Sequence, residues 1–352
     1  MSLLSIIVPC YNEEDVLPQL FQRLAGALDA FTSDYEIVCV DDGSKDRTWQ
    51  MLQTQHKADP RWRVVSFARN FGHQAAVTAG LWYCSGDAAV IIDADLQDPP
   101  EEIRRMFDKW REGYQVVYAV RTKREDPMLK QLLAWSFYRV FSSLSSFPVS
   151  HDSGDFCLLD RAVVDVLNTL PERNRYLRGL RSWCGFRQIA IEFERHRRAA
   201  GEPKYTSIKS LRLALDGIFS FSTVPLRLAT FLGFAVSSLA FLGVIFYFVE
   251  KLFARQFYAI GLGPLPGFPT VIISILFLGG VQLICLGIAG EYIGRVYEEV
   301  KARPYWIVAG SAGITIKSPC PTFPKERTAD IADQLGRLDN RESTAISVAH
   351  RK

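Results

Sequence analysis

The sequence predicts an α/β fold with a mostly parallel β-sheet, followed by interfacial amphipathic helices and a two-helix transmembrane hairpin. Over about the first 120 residues, short β-rich runs alternate with amphipathic stretches, as in parallel strands joined by crossover helices. Four of these runs end in clusters of polar residues. Two long apolar stretches follow nearer the C-terminus.

The predicted strands are short apolar runs, and the stretches between them have the spacing of helices with one buried face. The strands are Leu4–Val8, Glu36–Val40, Arg63–Phe67, Ala88–Ile92 and Gln115–Ala119. The helices are Glu13–Ala30, Asp46–His56, Gln74–Cys84 and Pro100–Arg111. In an open α/β sheet, ligands bind beyond the carboxyl ends of the strands. We therefore expect the polar clusters that follow the strands to form one site.

Composition narrows the function classes. The chain has 352 residues and a net charge of +3, so no charge excess suggests a nucleic acid partner. Its seven cysteines are scattered and include no CxxC pair, which argues against a disulfide framework or a zinc site and fits a reducing compartment. No GxGxxG fingerprint follows the first strand and no GxxxxGK[ST] loop occurs. A dinucleotide-binding fold and a P-loop ATPase are therefore disfavoured.

The two apolar stretches are long enough to cross a bilayer. Residues 228–249 and 268–290 contain no charged residue, and a transmembrane helix needs about 20 apolar residues. A Gly/Pro-rich link, 261–267, lies between them. A single stretch of this kind could be the core helix of a soluble protein, but two stretches joined in this way favour a membrane hairpin.

Positive charges beside the hairpin predict its orientation. Basic residues flank both outer ends, while the loop between the spans has only Lys251 and Arg255. Because positive charge favours the cytoplasmic side, we expect both termini and the preceding domain in the cytoplasm. The N-terminal run lacks a basic region and breaks at Pro9, so we expect no signal peptide. These features predict a multi-pass membrane protein with cytoplasmic termini.

The stretch after the fourth strand carries the clearest candidate chemistry. Asp93 and Asp95 lie two residues apart, so on an extended backbone both point the same way and can share one divalent cation. Gln97 and Asp98 follow. The alternative is a polar turn with a helix start, because Asp98 suits an N-cap and the following prolines suit a first helical turn. Both interpretations can hold together.

The other clusters have structural alternatives of the same kind. Asp42 and the residues after it also suit a turn and a helix cap, and Asn12 could cap the first helix. Asp155, beside Gly154, would by itself be a turn aspartate. Arg198 and Lys204 lie in a basic run that either forms a solvated face against lipid headgroups or holds a phosphate at the bilayer surface.

The rest of the chain divides into further segments. Residues 128–147 could lie in the membrane interface or pack on the sheet, and 207–227 predict an interfacial helix. We therefore expect a core at 1–125, an acceptor and juxtamembrane region at 126–227, the hairpin at 228–294 and a cytoplasmic tail at 295–352. Beyond about residue 309 the tail is charged, poor in aromatic residues and without periodicity, so we expect disorder there.

Ordered motifs from residue 1 to about 308 resemble one family. They are Ile7–Glu14, Val40–Ser44, Arg69–Gln74, Asp93–Glu101, Ser153–Phe156, Gly201–Tyr205 and Asp216–Ser222. This set is similar to membrane-bound family 2 glycosyltransferases that move a sugar from a nucleotide to a polyprenyl phosphate. They include dolichol-phosphate mannose synthases and the bacterial polyisoprenyl-phosphate glucosyltransferases of O-antigen modification in lipopolysaccharide. Where the family usually has serine, this chain has Pro203, which puts contacts of that hydroxyl in doubt.

The resemblance implies a GT-A type, Rossmann-like nucleotide-sugar domain and a role for each matching residue. Nucleoside contacts are implied for Pro9, Tyr11, Glu13 and one or both of Asp41 and Asp42, and more weakly for Arg69 and Asn70. Asp93, Asp95 and Gln97 would hold Mg²⁺ or Mn²⁺, with Asp95 as the ligand of the diphosphate-bound cation. Asp155 matches the family's proposed catalytic aspartate, and Arg198 and Lys204 would steady phosphate groups.

The resemblance implies inverting transfer of a sugar from a nucleotide sugar to undecaprenyl phosphate, with a divalent cation as Lewis acid. UDP-glucose is the first choice of donor because of the likeness to the glucosyl branch, and N-acetylglucosamine, mannose or a modified arabinose are the alternatives. We expect Asp155 to orient a substrate, with general-base work secondary. The expected partners are the nucleotide sugar, the polyprenyl phosphate, the bilayer, a flippase and a downstream periplasmic glycosyltransferase; a dimer or tetramer is compatible. The alternatives are a processive polysaccharide synthase, whose QxxRW motif is absent, and a non-catalytic nucleotide-sugar sensor or scaffold.

Overall fold

The computed structural model describes residues 2–121, 153–173, 175–193, 223–253 and 267–316. They fall into two units. The first includes 1–142, 147–210 and 302–352, and the second 143–146 and 211–301. Several predictions lie outside the described residues: the helix at 128–147, Arg198 and Lys204, most of the interfacial helix at 207–227, and the tail after 316. The predicted domain boundaries stay predictions.

The first unit is built on a sheet of eight described strands in the order β7-β5-β6-β4-β1-β2-β3-β8. The strands are β1 (Leu4–Cys10), β2 (Tyr35–Asp41), β3 (Trp62–Phe67), β4 (Ala88–Ile91), β5 (Val116–Arg121), β6 (Ser153–Asp160), β7 (Gln188–Phe193) and β8 (Val308–Ala312). The pairs β1–β2, β1–β4, β2–β3 and β5–β7 are parallel. β6 and β8 run antiparallel to their neighbours. The predicted α/β fold with a mostly parallel sheet is confirmed.

Six described helices belong to this unit. They are α1 (Leu17–Asp29), α2 (Thr48–Ala58), α3 (His73–Tyr83), α4 (Ile103–Arg111), α5 (Arg161–Thr169) and α6 (Leu177–Trp183), with a 3₁₀ turn at Pro100–Glu102 before α4. α1 buries one leucine on each turn: Leu17, Leu20, Leu24 and Leu28. These leucines pack with β1 and β2, whose residues are all buried, in one apolar core. Burial of that stripe is the main force that holds α1 on the sheet.

The first helix begins four residues later than the sequence predicts. The spacing predicted a helix from Glu13, but α1 starts at Leu17. The Glu13 backbone N–H donates to Thr48 Oγ1 at 2.9 Å and the Glu14 N–H to Asp46 Oδ2 at 3.2 Å. These backbone groups are bound to the loop after β2, so the chain continues across the sheet edge before it turns into the helix.

Gly80 fixes how closely α3 approaches the sheet. A Cβ at this position would lie 2.2 Å from Cγ2 of Ile7 in β1, a distance that real Cβ atoms do not reach. Only glycine therefore allows α3 to lie this close to β1. The close approach places the first residue of α3, His73, beside the carboxyl ends of the central strands.

The expected disorder from about residue 309 is wrong for residues 308–312. They form β8, which pairs antiparallel with β3. Just before it, Trp306 is 2% exposed and stacks on Phe67 with ring centroids 6.0 Å apart. Gly310 and Ser311 have little intrinsic preference for strands. Pairing with an open sheet edge and burial of Trp306 override that preference, and neither is visible in the local sequence.

The second unit contains two long apolar helices, α7 (Val224–Leu252) and α8 (Gly267–Val300). By length and composition each is apolar enough to cross a membrane, in the stretches Val224–Gly243 and Ile273–Val300. Their large side chains face outward, with Phe231 and Leu276 72% and 70% exposed. The Cys285 thiol of α8 donates to the Ala229 carbonyl of α7 at 3.6 Å. Two such helices, with no apolar cover in the described part of the unit, fit association with a membrane.

Candidate active site

The polar segments after β1 and β2 are tied to each other at the carboxyl edge of the sheet. The Asn12 backbone N–H donates to Ser44 Oγ at 2.9 Å, and Asn12 Oδ1 accepts from the Lys45 N–H at 2.8 Å. Asn12 has a φ of 51°, a left-handed conformation that asparagine tolerates better than most residues. The loops that follow the two strands therefore form one continuous surface, as the sequence predicted.

Asp41 and Asp42 are both buried and bind protein groups. Asp41, 1% exposed, accepts from the Ser44 N–H at 3.0 Å and from Ser66 Oγ at 2.7 Å. Asp42, 3% exposed, accepts from the Phe71 and Gly72 N–H groups at 2.6 and 2.9 Å. Burial raises the pKa of Asp42 above its usual value, although these two hydrogen bonds oppose the shift. Both aspartates organise loops, and their predicted contact with a nucleoside stays a prediction.

The Arg69–Gly72 segment is held against the loop after β2. Gly43 has a φ of +66°, and a Cβ there would lie 2.3 Å from the Arg69 carbonyl carbon. Only glycine fits this contact. Arg69 and Asn70 are exposed, and the Arg69 guanidinium lies 4.0 Å from the centre of the Phe71 ring. Both side chains are therefore accessible at the sheet edge, and their predicted contact with a nucleotide stays a prediction.

The remaining predicted nucleoside residues lie at the end of β1 and just after it. Pro9 is a buried residue of β1, and its register partner is Val40 of β2. Tyr11 and Glu13 follow the strand and are partly exposed. They lie on the same edge as the clusters after β2 and β3. The structure thus brings the predicted nucleoside residues to one side of the sheet.

The predicted metal residues follow β4 in a tight turn. Asp95 Oδ1 accepts from the Gln97 backbone N–H at 3.1 Å, and Leu96 between them has a left-handed φ of 55°. The Asp93 side chain is 37% exposed. Burial raises the pKa of Asp93 above its usual value, the His73 charge opposes the shift, and the Asp155 and Asp95 charges add to it. Neighbouring carboxylates disfavour each other's ionised form, and a bound cation would offset that repulsion.

The donor set fits a metal ion that is shared with a substrate. Asp93, Asp95 and Gln97 offer hard oxygen ligands. Within the ranges that the structure describes, no three His, Cys, Asp or Glu side chains are grouped to hold a metal alone. Mg²⁺ is commonly bound by one or two carboxylates together with substrate phosphates rather than by an all-protein cage. These residues therefore fit a cation that bridges the protein and a diphosphate.

Asp155 lies at the start of β6, beside the turn that carries the predicted metal residues Asp93, Asp95 and Gln97. β6 pairs antiparallel with β4, with Ile91 opposite Cys157, so the start of β6 meets the end of β4. Arg178 of α6 binds both carboxylate oxygens of Asp155, at 2.7 Å from Nε and 2.8 Å from Nη2. This bidentate geometry fixes the plane of the carboxylate as well as its position.

His73 lies between Asp155 and Asp93, the first of the predicted metal residues. Its Nε2 lies 3.5 Å from Asp155 Oδ2 and 3.8 Å from Asp93 Oδ1. Burial lowers the pKa of His73, but the nearby Asp155 and Asp93 carboxylates outweigh burial and raise that pKa to about 9. The imidazole is therefore protonated at neutral pH and bridges two carboxylates.

The surroundings of Asp155 decide what it can do. Burial raises its pKa, but the nearby charges and hydrogen bonds of Arg178 and His73 outweigh burial and hold that pKa well below its usual value. A carboxylate with so low a pKa is a weak base, because efficient general bases have pKa values near the working pH. The geometry favours Asp155 as an orienting group.

Sequence reasoning missed both partners of Asp155. His73 stood in the Arg69–Gln74 motif without an assigned role, and Arg178 was not singled out. Arg178 is 23 residues from Asp155, and the contact exists only because α6 folds back beside β6. An arginine in a helix is most often a solvated charge, so only the tertiary structure identifies this one.

The strand order and the mostly parallel sheet are those of a GT-A type, Rossmann-like α/β fold. The sequence profile of glycosyl transferase family 2 matches residues 5–167. The chain belongs to this family and is a glycosyltransferase. It is 46% identical over 314 residues to an uncharacterised glycosyltransferase of Bacillus subtilis (strain 168), with 89% of this chain and 95% of that protein covered.

Other similar proteins have more specific names. The chain is 41% identical over 309 residues to the prophage-derived bactoprenol glucosyl transferase of Shigella flexneri, with 88% of this chain and 98% of that protein covered. Among solved structures, it is similar to glucosyl-3-phosphoglycerate synthase from Mycobacterium tuberculosis. That similarity has a TM-score of 0.41 and 21% identity and covers 62% of this chain and 79% of the other.

Proposed function

We propose that this protein transfers glucose from UDP-glucose to the phosphate of undecaprenyl phosphate, with inversion at the anomeric carbon. The observation that carries the proposal is the arrangement at the sheet edge. His73 Nε2 lies 3.5 Å from Asp155 and 3.8 Å from Asp93, so the predicted metal residues adjoin the predicted orienting carboxylate. The choice of glucose and of a polyprenyl phosphate is supported by relatives at about 40% identity that are named bactoprenol glucosyl transferases.

The nucleotide sugar would lie along the carboxyl edge of the sheet. Pro9, Tyr11, Glu13 and the loop that Asp41 and Asp42 organise would contact the nucleoside. Asp93, Asp95 and Gln97 would hold Mg²⁺ or Mn²⁺ against the diphosphate. When bound, the cation would neutralise the negative charge that develops on the departing nucleoside diphosphate.

The acceptor needs position more than it needs a base. A phosphate monoester has its second pKa near ~6 and is largely dianionic at neutral pH. Its oxygen attacks the anomeric carbon, the bond to the diphosphate oxygen breaks, and UDP leaves with that electron pair. Asp155, fixed by Arg178 and His73, orients the sugar or the acceptor in this step. A single in-line displacement inverts the anomeric carbon, so retention or a trapped covalent sugar adduct would contradict the proposal.

In this proposal the reaction takes place at a membrane, and the two apolar helices support that location. Two such helices and the flanking basic residues support a hairpin in the bacterial inner membrane with both termini cytoplasmic. The product would then form on the cytoplasmic face and need a flippase before a periplasmic glycosyltransferase uses it. Tags at either terminus and in the 254–266 loop, tested with protease on intact spheroplasts, check this orientation; cleavage of a terminal tag would contradict it.

Transfer into lipid tests the reaction. Detergent-solubilised protein is mixed with undecaprenyl phosphate and a panel of labelled nucleotide sugars, with Mg²⁺ or Mn²⁺ or with a chelator. We expect metal-dependent label in the organic extract from UDP-glucose, and its loss in Asp155→Asn. Arg187→Gln, which removes an exposed charge from the opposite end of the sheet, is the matched control and keeps activity. Nucleotide binding without lipid label from any donor would favour the sensor or synthase alternatives.

A further inference from the structure

Arg181 is a buried cation that the mechanism above leaves unused. It lies in the last turns of α6 and is 3% exposed. Its Nε and Nη2 are buried without a hydrogen-bond partner among the described residues. The groups found beside it are the Tyr118 ring, 5.2 Å from the guanidinium carbon, and the Cys157 thiol. Neither an aromatic face nor a thiol neutralises a guanidinium, and leaving a buried charge unpaired is costly.

A cavity beside Arg181 also reaches Asp155. Both residues line it, together with Gln74, Cys157 and Arg178 at the polar side and six apolar side chains: Val77, Leu81, Ile91, Leu159, Leu167 and Leu177. The cavity encloses about 310 Å³ of empty space including its open part. About 10 Å³ of this space can take the centre of a water molecule, which is room for roughly one water. This enclosed space is smaller than a phosphate group, so a bound phosphate would extend into the part of the cavity that is open to solvent.

The charges around the cavity favour an anion. Asp155 is already matched by Arg178 through two hydrogen bonds at 2.7 and 2.8 Å. Among the described residues Arg181 forms no ion pair, so its positive charge is in excess. Arginine binds phosphate oxygens with a planar fork of donors, and a phosphate monoester carries close to two negative charges at neutral pH.

The order of the strands separates this cavity from the donor side. The predicted nucleoside residues follow β1 and β2, and the predicted metal turn follows β4. Asp155 lies on the next strand, β6, and Tyr118 beside Arg181 lies on β5, one strand further. Across the sheet, the order is therefore the predicted nucleoside residues, the predicted metal residues, Asp155 and then Arg181. In an in-line displacement the acceptor lies on the far side of the sugar from the leaving diphosphate, which is the Arg181 side.

We propose that Arg181, with Arg178 one helical turn before it, binds the phosphate of the polyprenyl phosphate acceptor beside Asp155. This inference rests on the proposed function, because it names the binding site of the acceptor phosphate. It does not require Arg198 or Lys204, which lie outside the described residues. The alternative ligand of Arg181 is the diphosphate of the donor, which carries the same kind of anionic oxygen. The experiment distinguishes these two ligands.

Steady-state kinetics of the full chain in detergent provide the test. Arg181→Gln is expected to raise the KM for undecaprenyl phosphate at least tenfold, with the KM for UDP-glucose and the Kd for UDP within twofold of wild type. Arg181→Lys keeps the charge without the fork and should give a smaller rise. The control Arg187→Gln removes a guanidinium that lies 4.4 Å from the Tyr114 ring centre at the other end of the sheet and should change neither constant.

Three results would overturn the proposal. The first is an unchanged acceptor KM in Arg181→Gln. The second is a change confined to the donor KM or UDP affinity, which would assign Arg181 to the donor diphosphate. The third is a loss of UDP binding in both Arg181→Gln and Arg181→Lys, which would show that Arg181 only supports the fold.

Direct binding separates this inference from the proposed function. Calorimetry with farnesyl phosphate, farnesol and inorganic phosphate needs no turnover. Farnesyl phosphate should bind wild type and bind Arg181→Gln at least tenfold more weakly, while farnesol binding is unaffected. Equal binding of inorganic phosphate and farnesyl phosphate would indicate a site for free phosphate and contradict the acceptor assignment. If wild type binds farnesyl phosphate through Arg181 but transfers no sugar, the proposed function is wrong, whereas the assignment of Arg181 as a lipid phosphate-binding residue is confirmed.

Discussion

The pair formed by Asp155 and Arg178 allows a quantitative test of how the site is held together. Its two hydrogen bonds measure 2.7 and 2.8 Å, and the side chains are 17% and 29% exposed. Breaking a fully buried ion pair from one side costs about 3–5 kcal/mol, whereas exposed pairs contribute about 0–1 kcal/mol. Because this pair is only partly exposed, we expect the free energy of unfolding to fall by about 2 kcal/mol in Arg178→Gln or Asp155→Asn alone.

The double variant is the informative comparison. Arg178→Gln with Asp155→Asn leaves neither charge of the pair unmatched, so its loss of stability should be smaller than the sum of the two single losses. For a unit of about 150–250 residues, 2 kcal/mol corresponds to a fall in melting temperature of about 4–8 °C. Thermal unfolding of the purified protein in detergent, followed by circular dichroism, measures all four proteins. Strictly additive losses, or single variants that melt with wild type, would refute the view that the pair is coupled and buried.

Three other changes test separate features. Gly43→Ala should weaken UDP binding at least tenfold in calorimetry, because its Cβ would meet the Arg69 backbone at 2.3 Å; Gly113→Ala, whose Cβ would meet nothing within 4 Å at a similarly positive φ, is the control, and equal affinities would contradict the argument. Trp306→Ala should cost about 3–5 kcal/mol of stability, as for other buried tryptophans. Trp183→Ala, at a site 53% exposed, should cost much less, and equal costs would remove Trp306 from the core. Asp95→Asn should reduce transfer at least 100-fold and raise the Mn²⁺ concentration needed for half-maximal rate; an unchanged metal requirement would exclude Asp95 as a ligand.

The central strands and their polar ends could be predicted because the signals are local. β1, β2 and β4 are apolar runs that end in polar residues, and a buried parallel strand needs no other pattern. Asp93, Asp95 and Asp155 could be proposed from residue type and order along the chain. In each case the information lies within a few residues of the feature.

Other features could not be predicted because they depend on contacts between distant segments. The partnership of Arg178 with Asp155 requires α6 to fold back beside β6, and the burial of Arg181 requires the same packing. Asp41 and Asp42 look like exposed ligands in the sequence, yet both are buried and hold loops. β8 has a weak strand sequence, and the open edge of β3 determines its conformation.

The position of β8 in the chain has a consequence for the order of folding. β3 ends at Phe67 and β8 begins at Val308, about 240 residues later. At synthesis rates of about 5–20 residues per second, the ribosome needs some tens of seconds to reach β8 after β3 has formed. Both apolar helices are made in that interval. The hydrogen-bonding edge of β3 stays open until the hairpin has been synthesised, and open strand edges are sites where other chains pair. The sheet is therefore completed only after both apolar helices have been synthesised, and a chain cut short before residue 308 would leave that edge exposed.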